Sequence, residues 1–253
     1  MIFYFSGTGN SKYVAERIAK TTEDRIISIE KAIQDSLFDY KVNVGERIGF
    51  VSPTYYYGLP KIVEKFLAEV QLDTEGRHFV YLVLTMGGST GHTGKSFRQM
   101  MAEKGLHPDA LFSVKFPDTW TPLFDLSDRK KVEKTLAKAD PAVEDICRKI
   151  ASREKGDFDR NKGFWRFFSK LTRNAYYGQT TEKFAVSNAC VSCGLCVSSC
   201  PDSAMKLENG KPVWVAGTCD FCLRCLHRCP QFAISFGKST QKHGQYVNPK
   251  VKI

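Results

Sequence analysis

Apolar runs alternate with segments of helical spacing over residues 1–152 of the chain. The apolar runs predict five strands, at 2–5, 25–29, 47–52, 79–85 and 111–116. Helical patterns fall near 11–20, 60–70 and 95–104, and a longer one follows at about 127–152. This alternation is typical of βαβ units, so we expect an α/β domain built on a parallel sheet.

The pattern changes after residue 152. Basic and aromatic residues interleave over 153–183, where the aromatic residues are Phe158, Phe164, Trp165, Phe167, Phe168, Tyr176 and Tyr177. We interpret this stretch as a connector whose aromatic side chains pack between two domains. The alternative is an amphipathic helix on a membrane surface or on nucleic acid. Residues 184–236 are rich in cysteine, glycine and short turns, and such a segment needs internal cross-links such as metal clusters to fold stably. Residues 237–253 form a C-terminal tail.

Composition narrows the class of protein. No apolar stretch is long enough to span a membrane, and the N-terminus lacks a basic region before its short apolar run. We therefore expect a cytoplasmic protein, in which nine cysteines indicate metal binding rather than disulfides. The net charge of +10 is concentrated in the second half of the chain, where residues 184–253 hold eight basic and three acidic side chains.

Eight of the nine cysteines repeat one spacing. The two copies are Cys190, Cys193, Cys196, Cys200 and Pro201, then Cys219, Cys222, Cys225, Cys229 and Pro230. Three cysteines on a tight loop can each bind a different iron of one cubane, and the fourth binds the cubane of the other copy. The predicted sets are Cys190, Cys193, Cys196 and Cys229 for cluster I, and Cys219, Cys222, Cys225 and Cys200 for cluster II. A four-ligand zinc site does not account for this spacing twice over.

Residues 184–236 resemble a bacterial-type ferredoxin with two 4Fe-4S clusters. The resemblance implies a small α+β domain and low-potential, one-electron transfer. His227 stands at a non-ligand position, and we expect it at the surface, solvated or hydrogen-bonded. Cys147 lies apart in a helical pattern and is expected to be a small buried residue rather than a further ligand.

The first predicted strand runs directly into a small polar loop, Ser6-Gly7-Thr8-Gly9-Asn10-Ser11, and then into a helix. Backbone N–H groups and hydroxyls at a helix N-terminus form an anion site. The loop resembles the phosphate loop of flavodoxins, which implies that Ser6, Thr8, Gly9, Asn10 and Ser11 hold the phosphate of FMN.

Two other phosphate-binding motifs are alternatives to the flavodoxin-like loop, and the sequence fits neither of them. A dinucleotide fingerprint needs a third glycine, which the Gly7 and Gly9 loop lacks. Residues 89–96 fall one glycine short of a P-loop, and that function would leave the loop at residues 6–11 unexplained.

The flavodoxin resemblance implies a doubly wound, five-stranded parallel sheet of order 2-1-3-4-5. In such a sheet a ligand binds at the switch point, outside the carboxyl ends of strands 1 and 3. The loops that follow strands 3 and 4 supply the predicted flavin contacts Pro53, Thr54, Tyr55, Tyr56, Tyr57, Gly58, Thr85, Met86, Gly87 and Gly88. Gly58 is expected to permit a peptide flip, and one of the tyrosines to stack on the ring. Trp120 either packs on an exposed face of the flavin ring or is a hydrophobic residue that fills space within its loop.

A flavodoxin-like domain at 1–152 followed by cluster motifs after 184 resembles the flavodoxin/ferredoxin fusion family, which implies FMN and two 4Fe-4S clusters in an anaerobe. The first hypothesis is a carrier that passes electrons between the clusters, FMN and a redox partner protein, and an acidic partner would suit its charge. The alternative is a flavin-dependent reductase of a small molecule that is fed by the clusters. We expect no nucleic-acid partner, because cluster thiolates and the FMN phosphate offset much of the positive charge.

Overall fold

The computed structural model describes residues 1–163 and 169–253. The strands of the N-terminal part are β1 (Ile2–Tyr4), β2 (Ile26–Ser28), β3 (Asp39–Val42), β4 (Ile48–Pro53), β5 (Gln71–Thr74), β6 (Val80–Met86), β7 (Ala110–Lys115) and β8 (Gly156–Asp157). Its helices are α1 (Asn10–Thr22), α2 (Ile29–Gln34), α3 (Lys61–Glu69), α4 (Thr93–Ala102) and α5 (Arg129–Ala151). The five predicted strands and four predicted helices are all present, with ends that move by a few residues.

The main sheet is parallel and has six strands in the order β2-β1-β4-β6-β7-β8. The expected five strands were one too few, because the two residues of β8 add an edge strand too short to leave a pattern in the sequence. β3 and β5 pair with each other outside this sheet. The chain turns from one side of β1 to the other between β2 and β4, which creates the switch point of a doubly wound fold.

Two apolar layers cover the sheet, and β6 faces both of them. Leu82 and Leu84 belong to the layer under α2, α3 and α4, whereas Tyr81 and Val83 belong to the layer under α1 and α5. Alternate residues of a strand point to opposite faces, which explains why β6 is apolar throughout. Cys147 on α5 is 1% exposed in the second layer, so its interpretation as a small buried residue is confirmed. Burial raises its pKa to about 11.

The C-terminal part is a small two-layer unit. Its strands are β9 (Phe184–Val186), β10 (Met205–Glu208), β11 (Lys211–Trp214) and β12 (Ile234–Phe236), and its one-turn helices are α7 (Leu195–Ser198) and α8 (Arg224–His227). β9 pairs antiparallel with β12, and β10 forms a hairpin with β11. The rings of Phe184 and Trp214 stack at 4.6 Å within a small apolar cluster. So few buried apolar residues contribute little to the stability of the C-terminal part, which agrees with the expected need for internal cross-links such as metal clusters.

The connector contributes one described helix, α6 (Ser169–Tyr177), between the two parts. Tyr176 is fully buried and its hydroxyl donates to Asp220 Oδ1 at 2.5 Å, so this aromatic residue does pack between the domains. Phe158 stacks instead on Phe112 beside the main sheet, with ring centres 5.0 Å apart. Phe164, Trp165, Phe167 and Phe168 lie outside the described residues. Within the described ranges, none of the helices has the length and apolar character needed to cross a membrane.

Tyr81 provides a test of the packing. Its ring fills the space beside Gly49, where an added Cβ would lie 2.2 Å from Tyr81 Cζ. Its buried hydroxyl finds no hydrogen-bond partner among the described residues. Removing an unsatisfied polar group relieves a cost of about 1 kcal/mol or more. We therefore expect Tyr81→Phe to leave the apparent melting temperature of the loaded protein unchanged or raise it by about 3 °C.

Near-ultraviolet circular dichroism during heating would measure this shift. The matched control is Tyr13→Phe, which loses a 2.9 Å hydrogen bond from the Tyr13 hydroxyl to Asp140 and should lower the melting temperature. An equal loss in both variants would contradict the account of Tyr81.

Candidate functional site

A cavity of about 330 Å³ opens at the carboxyl ends of β1, β4 and β6, at the switch point. The predicted flavin contacts line it, except for Gly9 and Gly58. Its walls also include residues that the sequence did not single out as contacts: Gly7, Ser89, Phe116, Pro117, Asp118, Thr119, Leu123, Phe124, Thr172, Tyr176, Phe221 and Cys222. The cavity is therefore built by both parts of the chain.

The polar loop between β1 and α1 forms one end of this cavity. Ser6, Thr8, Asn10 and Ser11 are all less than 9% exposed. Gly9 takes a φ of 98°, which favours glycine, and this turn starts α1 without a side-chain cap at its N-terminus. Ser6 Oγ accepts from the Gly9 N–H at 3.0 Å, and the Ser11 hydroxyl pairs with that of Thr85 at 2.8 Å. No lysine or arginine appears among the described residues that line the cavity. Hydroxyls and N–H groups at the positive end of a helix suit a phosphate dianion.

The tyrosine loop after β4 forms a second wall. Tyr55 and Gly58 exchange backbone hydrogen bonds at 2.9 and 3.0 Å, and Tyr56 and Tyr57 between them have φ values of 49° and 60°. The left-handed backbone thus falls on two tyrosines rather than on Gly58. Gly58 does not line the cavity, and an added Cβ there would lie 2.8 Å from the Arg173 guanidinium carbon, so this glycine makes room for Arg173 of α6. Left-handed tyrosines cost about 1 kcal/mol or more each, which is typical of functional loops.

The aromatic residues of this wall are already in mutual contact. Tyr56 stacks on Tyr176 at 5.1 Å and meets the edge of Trp120 at 5.3 Å. Trp120 also contacts Phe236 at 5.7 Å, so its ring joins the cavity to the apolar cluster of the C-terminal part. Asp118 is the single carboxylate among the described lining residues, and burial raises its pKa. Leu123 and Phe124 stand at the rim with exposures of 69% and 42%.

The P-loop-like segment at 89–96 forms a closed turn. Thr90 N donates to the Asn161 carbonyl at 2.9 Å, and His92 N donates to the Tyr57 carbonyl at 3.1 Å. The Thr90 hydroxyl donates to the buried Asp159 carboxylate at 2.6 Å. Both N–H groups are taken up inside the protein, and the carboxylate beside them would repel phosphate. This geometry agrees with the rejection of a P-loop at this position.

The cysteines of the two motifs lie in two groups, and each group draws on both motifs. A second small cavity is lined by Cys190, Cys193, Cys196 and Cys229, which are the four residues predicted for cluster I. In the other group, burial raises the pKa of Cys225 well above its usual value, and the nearby sulfurs of Cys219 and Cys200 raise it further. The two cysteine motifs also share a local contact, in which the last cysteine accepts a hydrogen bond from the backbone N–H four residues later. Ala204 N donates to Cys200 Sγ at 3.4 Å, and Ala233 N donates to Cys229 Sγ at 3.2 Å.

The donor set fits iron–sulfur cubanes better than single ions. Among the residues that the structure describes, no three histidine, cysteine or acidic side chains converge closely enough to hold one metal ion. A cubane asks for a wider arrangement, because each cysteine binds its own iron. Burial raises the pKa of Cys219 to about 12, so a free thiol there stays protonated at neutral pH and iron is needed to stabilise the thiolate.

The loop of Cys219–Cys225 lies directly against the flavin-site cavity. Phe221 and Cys222 are part of its wall. At Gly7 in the polar loop, an added Cβ would lie 2.6 Å from the Tyr55 hydroxyl and 3.1 Å from the Cys222 carbonyl, so this glycine makes room for both neighbours. Asp220 accepts from the backbone N–H groups of Lys61 and Ile62 at 2.8 and 3.0 Å, which caps α3 from the C-terminal part. The predicted cluster II set is therefore the one next to the flavin site.

Arg224, between two of these cysteines, holds the loops together. Its Nη2 donates to the Ser6 carbonyl at 2.8 Å, its Nε donates to the Gly7 carbonyl at 3.3 Å, and both Nη atoms bind the Glu30 carboxylate at 2.6 to 2.7 Å. Arg224 is 7% exposed. Sequence reasoning missed this residue, although a charged side chain inside a cluster motif is a signal for it.

His227 is not at the surface, and the expectation that placed it there was wrong. It is 3% exposed, its Nε2 donates to the Thr119 carbonyl at 2.9 Å and its Nδ1 accepts from the Tyr246 N–H at 3.2 Å. Burial lowers its pKa to about 4, so the ring is neutral at pH 7. The loop that contains Trp120 and the C-terminal tail both fold over α8, which the sequence spacing does not reveal.

Two family models match separate parts of the chain. Residues 1–141 match the family model described as Flavodoxin domain, and residues 189–234 match that described as 4Fe-4S dicluster domain. A ferredoxin of Pyrobaculum islandicum is 45% identical over 47 residues, which are 18% of this chain and 44% of that protein. The matched segment thus spans less than half of that relative.

Among the solved structures that resemble this chain are two that cover about 60% of it. The Trp repressor binding protein from Bacillus subtilis is 11% identical, with a TM-score of 0.39 over 61% of this chain and 98% of the other. A flavodoxin from the domain Archaea is 21% identical, with a TM-score of 0.36 over 59% of this chain and 96% of the other.

The two matched domains define an electron-transfer flavo-iron-sulfur protein that binds FMN and 4Fe-4S clusters. The chain belongs to the flavodoxin domain family, in a form fused to a dicluster ferredoxin domain.

The position of Cys222 leads to a test with a matched control. We expect Cys222→Ala and Cys193→Ala each to lower the iron content from about eight to about four per chain. Only Cys222→Ala should also weaken FMN binding, because Cys222 lines the flavin-site cavity and Cys193 lines the other one.

Iron analysis and FMN titration of anaerobically prepared protein would measure both quantities. Equal FMN affinity in the two variants would contradict the placement of Cys222 in the cavity wall.

Proposed function

We propose that this protein carries electrons between a partner protein and FMN through its two clusters, cluster I receiving them from outside and cluster II lying next to the flavin. One observation carries the proposal: the Cys219–Cys225 loop forms part of the flavin-site wall, while the other cysteine group opens elsewhere. FMN exchanges one or two electrons and each cluster exchanges one, so the combination converts between the two modes.

The protein groups have distinct roles in this proposal. Ser6, Thr8, Asn10 and Ser11 bind the phosphate, and the loops around Tyr55 and Gly88 with Trp120 enclose the ring. Cys190, Cys193, Cys196 and Cys229 hold cluster I, and Cys219, Cys222, Cys225 and Cys200 hold cluster II. The aromatic residues around these sites exclude water, which helps to set the potentials.

The surface beside cluster I is the proposed docking face. Val191 and Leu207 are 59% and 42% exposed there, and Cys193 is itself exposed. Lys211 donates to the Cys190 carbonyl at 3.2 Å at the edge of the same group. Exposed apolar residues beside a lysine suit a partner with an acidic rim, which the positive charge would steer into place.

A small-molecule reductase is the second candidate function. It is favoured by the exposed apolar rim of the flavin-site cavity, formed by Leu123 and Phe124, with the half-buried carboxyl of Asp118 in the same wall. Leu123→Arg should then slow the reduction of a small aromatic acceptor and leave electron entry through cluster I unaffected.

The carrier function can be tested by stopped-flow spectroscopy. A stoichiometric amount of a reduced acidic 4Fe-4S ferredoxin is mixed with the loaded protein, and the loss of flavin absorbance is followed. We expect Cys193→Ala to slow this step by about tenfold or more, whereas direct reduction of the flavin by dithionite stays at the wild-type rate.

The surface variant Leu207→Glu keeps all cysteines and should slow only the reaction with the acidic ferredoxin. A wild-type rate in Cys193→Ala would show that electrons bypass cluster I, and the proposed order would be abandoned.

A further inference from the structure

The C-terminal tail packs against the proposed phosphate loop. Asn248 N donates to the Thr8 carbonyl at 2.8 Å. An added Cβ at Gly9 would lie 3.0 Å from both the Asn248 Cβ and the Val251 side chain. The tail is thus in van der Waals contact with the turn that starts α1, and it reaches this point after passing over α8 and His227.

Asn10 is the loop residue that the tail holds through its side chain. Asn10 Oδ1 accepts from the Tyr246 hydroxyl at 2.7 Å and from Asn248 Nδ2 at 3.0 Å. All three residues are less than 9% exposed. The hydrogen bonds are therefore shielded from water and fix one orientation of the Asn10 side chain.

The orientation of these amides follows from an unambiguous donor. Lys250 N donates to Asn248 Oδ1 at 3.0 Å, and a backbone N–H can only donate. Asn248 must therefore turn its Nδ2 towards Asn10, and Nδ2 can only donate as well. Asn10 consequently directs its oxygen at the tail and keeps its NH₂ group for the opposite side. Asn10 also lines the flavin-site cavity, and its Nδ2 has no protein acceptor among the described residues.

We propose that Tyr246 and Asn248 are positioning residues for FMN: they hold the Asn10 carboxamide so that its NH₂ group is presented to the phosphate. The inference rests on the proposed phosphate site. Asn10 in the opposite orientation would present an acceptor oxygen to a dianion. An asparagine side chain carries both a hydrogen-bond donor and an acceptor. The tail thereby ensures that Asn10 presents its donor to the phosphate.

The substitution Asn248→Asp tests the proposal with little change of shape. One carboxylate oxygen keeps the contact with Lys250 N, and the other faces Asn10 and draws its NH₂ group away from the cavity. We expect the FMN dissociation constant to rise by about 10- to 100-fold, the factor for losing a hydrogen bond to a charged group. Riboflavin lacks the phosphate, so its dissociation constant should stay within about twofold, since no charged contact is lost.

The measurement is fluorescence titration of the full-length protein, with its clusters retained and its flavin removed. Tyr246→Phe removes a single donor and should give a smaller effect in the same direction. Gln241→Glu is the control for a new charge in the tail, because the hydrogen bonds of this exposed amide within the described residues go to the carbonyls of Phe232 and Ile234 and not to Asn10. It should leave the affinity for FMN unchanged.

A double-mutant cycle with Asn10→Ala separates positioning from charge repulsion. If the tail acts through Asn10, Asn248→Asp has no further effect on FMN affinity once Asn10 is alanine. An effect that persists in the Asn10→Ala background, or an equal loss of FMN and riboflavin, would overturn the proposal. Failure of the wild-type protein to prefer FMN over riboflavin would instead refute the phosphate site itself.

Discussion

The buried guanidinium of Arg224 is the interaction on which the arrangement of the two domains depends. It lies between Cys222 and Cys225, and it binds Glu30 of the flavodoxin part together with the backbone of the phosphate loop. Burial disfavours a charge, yet the hydrogen bonds to Glu30 and the nearby Cys222 sulfur hold the pKa of Arg224 above its usual value. Breaking such a pair by removing one partner costs about 3–5 kcal/mol, because it leaves a charge buried alone.

The Arg224 side chain contacts both proposed redox sites. The same side chain that fixes the cluster II loop also fixes the carbonyl oxygens of Ser6 and Gly7. The backbone of the proposed phosphate loop is therefore held by a residue of the ferredoxin part. Asp220 adds a second contact by capping α3, and it is itself held by the Tyr176 hydroxyl at 2.5 Å. The Cys219–Cys225 loop is thus held against the cavity of the flavodoxin part by hydrogen bonds.

The sequence predicted the features that leave local signals. The strands of the main sheet appear as apolar runs because they are buried, and the cysteine spacing indicates clusters because the ligands of one loop are neighbours in the chain. β3 and β5 were missed, since their residues are mostly half-buried or exposed and leave no clear apolar run. The Arg224, Asp220 and His227 contacts were missed because each joins residues 100 or more positions apart.

The tyrosine loop shows a different limit of sequence reasoning. Its position at the switch point was predictable, and Gly58 was expected to permit a peptide flip, but the left-handed backbone of Tyr56 and Tyr57 was not foreseen. The close approach of Arg173 to Gly58 was not foreseen either. A helix that arrives from the connector cannot be foreseen from the loop alone.

The path of the tail also bears on how the protein is made. Tyr246 and Asn248 follow all eight cysteines of the two motifs in the chain, and their hydrogen bonds reach back to Asn10, up to 238 positions away. The hydrogen bonds of the loop at residues 6–11 are therefore complete only when the segment after the ferredoxin part has been synthesised and has folded against it.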